Sequence, residues 1–315
     1  MMLDTVQNIS FTTFRLTGFH DLGEWGPILS IPYLLMFIFS SMLNVTLIYL
    51  IVSQQALHSP MCILIGLMAV MDFSFPFLFV PNMLLSFLFN WNAISLVGCL
   101  VQMFFIYFFA SFHSTILLWM ALDRFFAICK PLYYQKYMTM TNFQKFIIFP
   151  VIRNVVLVTV IVSWAGKLTF CATNEIDHCF CEHMALVQLA CGDITVNNIL
   201  GLLGIFLSMV SDFIFVIISY IVILSSVLRA GKTCLKAFNT CITHIIVMTV
   251  GMTFALIAFM SYRIRNNFSS SSRVFLSTMY LIFPSCFNPI IYGVRTKEIR
   301  EQFLKLITYF KVFQK

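Results

Sequence analysis

The sequence of 315 residues is 60% hydrophobic and only 10% charged, with a formal net charge of +7 and a mean hydropathy of +0.94. A soluble domain cannot bury so much apolar surface, whereas a bilayer solvates it, so the composition excludes a soluble globular protein. The positive charge does not indicate a nucleic-acid partner, because most basic residues fall in loops on one side of the apolar runs. Anionic lipid and a cytosolic protein are the partners expected there.

Apolar runs long enough to cross a bilayer recur seven times with short connections, which predicts an all-α bundle of seven transmembrane helices. With the N-terminus outside, thirteen of the 19 Lys and Arg residues lie on the cytoplasmic side, in agreement with the positive-inside rule. We therefore expect a single domain in the plasma membrane, with an extracellular segment at 1–27, the bundle at 28–292 and a cytoplasmic tail at 293–315. The apolar spacing of the tail predicts an amphipathic helix on the inner leaflet.

The predicted outside segments contain two sequons for glycosylation, at Asn8 in the N-terminal segment and at Asn267 before span seven. Span one, at about 28–52, carries one polar centre, the amide of Asn44. We expect Asn44 to belong to an intramembrane polar site.

Span two, at about 61–89, holds Asp72 at membrane depth. An ionisable group in that place indicates a functional site, although a neutral acid that is hydrogen-bonded within the bundle would give the same pattern. Span two also contains Pro76 and Pro81, which predict kinks.

Polar and small residues interrupt the aromatic sequence of span three, at about 95–126. Tyr107, Ser111 and His113 fall on about one face of the helix, below Cys99. That placement suits a ligand cavity, whereas simple packing of small residues between membrane helices would produce the same pattern.

Two further motifs lie where spans three and seven end. Asp123 and Arg124 close a long apolar run, and such a pair can form a local ion pair that a rival partner pulls apart, which suits a switch at the membrane face. In span seven, at about 274–292, Asn288 and Pro289 precede Tyr292. A proline there frees a backbone carbonyl and bends the helix, so this segment can change shape.

The loop between span four (about 143–170) and span five (about 198–228) is rich in cysteine, histidine and acids. Its acids predict a negatively charged lid over the cavity: Glu175, Asp177, Glu182 and Asp193. Clusters of His and Cys bind zinc or copper, so a metal site is one interpretation of His178, Cys179, Cys181 and His183. Disulfides are the other interpretation, because an outside loop is oxidising.

Several stretches together resemble the odorant receptors, a branch of the rhodopsin-like G-protein-coupled receptors. The resemblance rests on the segments at 57–61 (LHSPM), 120–134 (MALDRFFAICKPLYY), 236–244 (KAFNTCITH) and 288–292 (NPIIY), and on the spacing of Cys171, Cys181 and Cys191. Asp212 in span five is similar to the acid found there in class I, or fish-like, odorant receptors, and its chemistry is not assigned. Arg153 in span four is expected to face the bundle or to extend its charge to the interface.

The resemblance implies two disulfides, Cys99–Cys181 and Cys171–Cys191, which leave Cys179 as the odd thiol and take Cys181 out of the metal set. Receptors of this class use an acid at the position of Asp72 for a sodium ion and for helix coupling. Here His113 replaces the Glu that is usual in the family, and the loss of an anionic ligand argues against sodium. We expect a direct Asp72–His113 hydrogen bond instead, and no cofactor.

The resemblance also implies a small-molecule odorant as ligand and a heterotrimeric G protein of the stimulatory olfactory type as partner. The odorant would favour a state in which span six moves outward and frees Arg124, which raises cyclic AMP. The predicted coupling residues are Asp123, Arg124, Tyr220, His244, Asn288, Pro289 and Tyr292. The predicted ligand-binding residues are Met103, Ile106, Tyr107, Ser111, Phe259, Arg263 and Thr278.

Some alternatives stay open at this point. Arg263 suits a carboxylate or sulfate on the ligand, or else it is an interfacial anchor or a partner of the acidic lid. A receptor of this sequence could serve a tissue other than the nose. A transporter would show inverted repeats or a line of polar groups, and neither is visible. A membrane enzyme would need a nucleophile and a base, and Asp72 with His113 lacks a third group, so we predict that the protein is not an enzyme.

Overall fold

The computed structural model describes residues 10–19, 23, 25–137, 140–171, 173–230, 235–264 and 268–313. The helices in these ranges are α1 (Gly26–Ser53), α2 (Pro60–Phe89), α3 (Leu96–Cys129), α4 (Pro131–Tyr137), α5 (Met140–Ala165), α6 (His183–Val187), α7 (Thr195–Ile205), α8 (Ser211–Ala230), α9 (Leu235–Ser261), α10 (Ser270–Arg295) and α11 (Lys297–Phe313). The strands are β1 (Thr13–Leu16), β2 (Ala93–Ser95) and β3 (Glu175–Ile176).

The seven predicted spans correspond to α1, α2, α3, α5, α7 with α8, α9 and α10. Among the described residues, six of these spans are long and apolar enough to cross a membrane, and α9 contains a shorter apolar stretch, Ile245–Ser261. The C-terminal helix α11 follows α10 directly. The predicted fold class, an all-α bundle of seven membrane helices with a short C-terminal helix, is confirmed.

Serine caps begin three of the long helices. The side chains of Ser59, Ser95 and Ser269 accept hydrogen bonds from backbone N–H groups in the first turns of α2, α3 and α10. The cap at Ser269 explains why α10 begins about a turn earlier than the hydropathy predicted. Helix α5 ends earlier than predicted, at Ala165, because the chain turns at Gly166 and Phe170 then forms a β-bridge with Ala190.

Span five is not one regular helix. Helices α7 and α8 are joined by a π-helical turn at Phe206–Val210. Such a turn inserts one extra residue into the helix and is common at functional sites. It changes which residues of the span face the bundle.

A small β-sheet covers one end of the bundle, with strand order β2-β1-β3. Strand β1 pairs antiparallel with β2 and parallel with β3, and its alternate side chains Phe14 and Leu16 are buried. We call this sheet together with residues 166–194 the cap, and we name the two ends of the bundle the cap end and the tail end. The sequence predicted only an extracellular segment at 1–27, without secondary structure, whereas residues 13–16 form the central strand of the cap.

Two disulfides fasten the cap. Cys99 at the start of α3 is bonded to Cys181, and Cys171 is bonded to Cys191, with Cα–Cα distances of 5.3 and 5.7 Å. Both distances lie in the usual range for disulfides. The first bond fixes the loop that precedes α6 against α3, over the middle of the bundle.

Candidate functional site

A cavity of about 110 Å³, the cap cavity, lies beneath the cap between α3, α5, α7, α9 and α10. Four of the predicted ligand-binding residues line it: Ile106, Tyr107, Ser111 and Phe259. The polar residues of the lining that the sequence did not single out for ligand binding are Glu182, His183, Ser208, Ser277 and Tyr280. The lining is otherwise mostly apolar, as is usual for small-molecule sites.

Two predicted ligand-binding residues face elsewhere. Met103 is fully buried in the hydrophobic cluster that contains Cys99 and Phe170. The hydroxyl of Thr278 lies 2.7 Å from the hydroxyl of Tyr33 in α1. Because one residue turns a helix by about 100°, the neighbouring Ser277 lines the cavity in its place.

Arg263 lies just outside the lining of the cap cavity. Its guanidinium stacks 3.8 Å above the ring of Phe259, and its Nε donates a hydrogen bond of 3.1 Å to the side chain of Asn198. Burial lowers the pKa of this guanidinium, and within the described residues its buried Nη1 has no hydrogen-bond partner. Gly201 lines the cavity, and a Cβ built on this glycine would come within 2.8 Å of Nη2 of Arg263. The guanidinium therefore lies directly behind Gly201, close to the space that a ligand would occupy.

Glu182 is the acid of the cap that faces the cavity. Its carboxylate accepts hydrogen bonds from the backbone N–H of Ala185 (2.7 Å) and from the hydroxyl of Tyr107 (3.1 Å). Burial raises the pKa of Glu182. The acids of the expected lid do not face the cavity together. Asp177 forms an ion pair of 2.9 Å with Arg273, and Asp193 is exposed.

His183 presents a second polar group to the cavity. The residue is 3% exposed, and its Nε2 has no hydrogen-bond partner among the described residues. Burial lowers the pKa of its imidazole to about 4, so the ring is neutral at physiological pH. A neutral imidazole nitrogen can donate to or accept from a ligand, depending on the tautomer.

The histidine and cysteine set of the cap is divided between different contacts. The sulfur of Cys181 belongs to the disulfide with Cys99, and Nδ1 of His178 accepts a hydrogen bond from the N–H of Phe180 (3.2 Å). Burial lowers the pKa of His178 to about 3. Cys179 is a free and buried thiol.

A second and larger cavity, the deep cavity, has a volume of about 290 Å³ and adjoins the cap cavity towards the tail end. Its walls come from α2, α3, α8, α9, α10 and the π-helical turn. They are almost entirely apolar, and the polar groups on them include His113, Ser114 and Asn288. Gly251 on α9 faces open space here, since a Cβ at this position would meet no atom within 4 Å.

Asp72, His113 and Asn288 form a buried cluster, but not with the direct bond that the sequence predicted. The Nδ2 group of Asn288 donates to Oδ2 of Asp72 (2.9 Å) and contacts Nε2 of His113 at 3.2 Å. Nε2 lies 3.3 Å from Oδ1 of Asp72, but Oδ1 has no hydrogen bond in the described part of the chain. The amide of Asn288 thus contacts both side chains, and Asp72 and His113 also lie within ion-pair distance of each other.

Asn44 belongs to a different polar group. Its Nδ2 donates to the carbonyl oxygens of Ser40 (2.9 Å) and Ser285 (2.8 Å), which ties α1 to α10. The hydrogen bonds described for Asn44 are thus made to Ser40 and Ser285, and not to Asp72 or His113.

An intramembrane ion pair that the sequence did not reveal joins three helices. Arg153 of α5 binds Asp212 of α8 with both terminal nitrogens, Nη1 to Oδ1 and Nη2 to Oδ2, each at 2.9 Å. Thr115 of α3 donates to Oδ2 of Asp212 (2.9 Å) and accepts from Asn154 (3.2 Å). Arg153 thus faces the bundle, and Asp212 is paired.

At the tail end, the carboxylate of Asp123 accepts a hydrogen bond of 2.9 Å from the hydroxyl of Tyr134. Within the described ranges Arg124 makes no ion pair, and its buried Nε has no hydrogen-bond partner, so the expected Asp123–Arg124 ion pair is not formed. The coupling residues Tyr220, Pro289 and Tyr292 are buried in the bundle. The side chain of His244 and the sequons at Asn8 and Asn267 lie outside the described residues.

The apolar helices, the ligand-sized cavity and the buried polar cluster are features of a multi-pass membrane receptor. A family model described as olfactory receptor matches residues 33–309. The human olfactory receptor 52K2 is 38% identical over 295 residues, which cover 93% of this chain and 94% of that protein, and the human olfactory receptor 52K1 is 37% identical over 298 residues, with 94% of each chain covered. The human olfactory receptor 51E1 is 34% identical over 308 residues, or 97% of each chain. The chain belongs to the olfactory receptor family, and it is a multi-pass protein of the plasma membrane.

Proposed function

We propose that this receptor is activated by a small odorant that binds in the cap cavity and that it signals through a G protein of the stimulatory olfactory type. The observation that carries the proposal is the cap cavity itself. It is covered by a disulfide-fastened loop, it is mostly apolar, and it is lined by α9, the helix that is expected to move. Membership in the olfactory receptor family supports the class of ligand and the coupling to a G protein.

In the membrane, we place the cap and the N-terminus outside the cell. The charge distribution supports this orientation, because thirteen of the 19 basic residues belong to the predicted cytoplasmic segments of the sequence. Helix α11 lies on the inner leaflet, where its basic residues attract anionic lipid.

Activation begins with the contact between ligand and α9. Ala255, Ala258 and Phe259 of this helix line the cap cavity, and the deep cavity leaves the same helix unsupported near Gly251. A ligand that binds more tightly when α9 has moved outward shifts the population towards that state. The movement exposes Arg124 to the G protein, and cyclic AMP rises.

The polar end of the cavity supports a carboxylate-bearing odorant. The Nη1 of Arg263 and the Nε2 of His183 are the buried nitrogens near the ligand space that lack partners in the described structure. An anionic oxygen would satisfy both, and paired hydrogen bonds from a guanidinium to a carboxylate are strong. Glu182 opposes this assignment, because its carboxylate would repel an anion, and a neutral polar odorant is the competing possibility.

The test is cyclic AMP in cells that express the full chain, over a panel that pairs short carboxylic acids with their methyl esters. We expect Arg263→Ala to weaken the response to acids by about 10- to 100-fold, since a hydrogen bond to a charged group contributes roughly 1.5–3 kcal/mol. Arg273→Ala is the matched control, because this arginine of the cap binds Asp177 and does not line the cavity.

Equal responses to acids and esters, unchanged in Arg263→Ala, would make Arg263 an interfacial anchor and the odorant a neutral molecule. The absence of any ligand-dependent cyclic AMP, with the receptor present at the cell surface, would contradict the coupling to a stimulatory G protein.

A further inference from the structure

The cap cavity and the deep cavity are neighbours that share one wall. Ala110, Met209, Tyr280 and Leu281 line both of them. Two of these residues are small or aliphatic and come from long helices. The other two, Met209 and Tyr280, touch each other across the boundary.

The contact between Met209 and Tyr280 is weak and easily opened. The hydroxyl of Tyr280 donates to the sulfur of Met209 at 3.7 Å, and a thioether is a poor acceptor. Methionine has three rotatable bonds and adapts its shape to irregular spaces. Met209 also lies in the π-helical turn Phe206–Val210, which sets its side chain between the two cavities.

The volumes of the two cavities limit the size of the ligand that each of them can hold. An apolar cavity of about 150 Å³ accommodates benzene, so the cap cavity of about 110 Å³ holds a ligand of roughly six non-hydrogen atoms or fewer. The deep cavity of about 290 Å³ is the larger space and is almost entirely apolar. A ligand whose polar group is bound beside His183 and Arg263 has room for a longer hydrocarbon tail only if that tail passes Met209.

We propose that Met209 and Tyr280 form a gate, through which the hydrocarbon tail of a straight-chain amphiphile passes from the cap cavity into the deep cavity. The inference rests on the proposed function for the position of the polar group, and it specifies the ligand as a straight-chain molecule longer than about six non-hydrogen atoms. The deep cavity is then the part of the site that selects chain length. Tails that enter it gain affinity with each methylene, since burial of one methylene contributes about 0.8 kcal/mol.

Filling the deep cavity without touching the cap cavity tests the gate. Gly251 lines only the deep cavity, and a side chain added there meets open space, so Gly251→Leu shortens the room for the tail. Gly251→Ala is the matched control with minimal added volume. The full-length receptor is placed in lipid nanodiscs, and the dissociation constants of straight-chain carboxylic acids of about two to twelve carbons are measured by calorimetry.

The quantity to compare is the dissociation constant of Gly251→Leu divided by that of the wild type, because this ratio cancels the partitioning of each acid into the lipid. We expect a ratio near unity for acids of up to about four carbons, which have about six non-hydrogen atoms with the two oxygens, followed by a rise of about fourfold for each further methylene. The ratio for Gly251→Ala should stay near unity throughout. Val247→Phe fills the deep cavity from another position on α9 and should give the same break, which keeps the test valid if Gly251→Leu does not fold.

A ratio that is constant along the series would overturn the gate, and so would a wild-type receptor that binds none of the longer acids. These outcomes are separate from the fate of the proposed function. Binding without a rise of cyclic AMP would contradict the coupling, whereas a cyclic AMP response to short acids alone would support the receptor function and exclude the gate.

Discussion

Asp72 and Asp212 are acids buried in the interior of the membrane helices of this receptor, and their surroundings differ. Asp72 and Asp212 are each 1% exposed. Both oxygens of Asp212 are bound by the guanidinium of Arg153, and Thr115 adds a further hydrogen bond. Asp72 accepts one hydrogen bond from Asn288, and its other oxygen has none within the described structure.

The two acids form different kinds of junction between helices: the junction at Asp212 is held firmly, and the junction at Asp72 can rearrange. The pair of Asp212 and Arg153 holds α8 against α5 and α3 through charges that satisfy each other, so breaking it leaves a charge buried in the bundle. Asp72 joins α2 to α10 through a single neutral amide, next to Pro289 and beside the open space of the deep cavity. A junction held by one hydrogen bond can rearrange at little cost in free energy when α10 or α9 moves.

The same isosteric substitution, aspartate to asparagine, can be made at both sites. We expect the largest effect from Asp212→Asn, with a loss of about 3–5 kcal/mol in the free energy of unfolding, because Arg153 is left without its counter-charge. Thermal unfolding of the purified receptor and its abundance at the cell surface would measure this loss. The double variant Arg153→Gln with Asp212→Asn should recover most of the stability, and a double variant as unstable as the single one would show that the charge pair is not the cause.

An intermediate effect is expected at Thr115, which donates to Asp212 and accepts from Asn154. Thr115→Val keeps the shape but removes the hydroxyl, and we expect a loss of about 1–2 kcal/mol in the free energy of unfolding, because buried partners lose a hydrogen bond. Thr115→Ser, which retains the hydroxyl, is the control. If both variants unfold at the same temperature as the wild type, the network contributes nothing beyond the ion pair.

The smallest effect on stability is expected at Asp72→Asn, at less than about 1 kcal/mol, because the amide keeps an oxygen for Asn288. Signalling should change instead, with a five- to tenfold shift in the odorant concentration for half-maximal cyclic AMP, a range typical of coupling between sites. Unfolding as severe as that of Asp212→Asn, with unchanged signalling, would contradict the distinction between the two junctions.

The sequence predicted those features that depend on composition and local spacing. The spans, their order and the tail helix follow from hydrophobic runs, since each run must cross the same thickness of hydrocarbon. The ion pair between Arg153 and Asp212 was not predicted, because the partners are 59 residues apart on different helices and neither lies in a motif. Only the packing of α5, α3 and α8 brings them together.

The predictions of site residues that were wrong concern which side of a helix faces the cavity, because this depends on how the helix is rotated about its axis. Ile106, Tyr107, Ser111 and Phe259 line the cap cavity as predicted from position, whereas Thr278 faces α1 and its neighbour lines the cavity. The central strand of the cap could have been found from its alternation, since Phe14 and Leu16 are apolar and flank Arg15. Its partner strands, β2 and β3, lie on two separate loops, and no local sequence pattern indicates that they are strands.

The contact of Gly18 with Cys179 has a practical consequence for following the cap in living cells. A Cβ at Gly18 would come within 2.6 Å of the backbone nitrogen of Cys179, so the N-terminal segment lies directly over this thiol. The thiol is buried and its pKa is raised by burial, which keeps it protonated and inert towards alkylating reagents. Irreversible labelling by a reagent that does not cross membranes would therefore accumulate with the number of receptors in which the N-terminal segment has lifted, without any engineered tag.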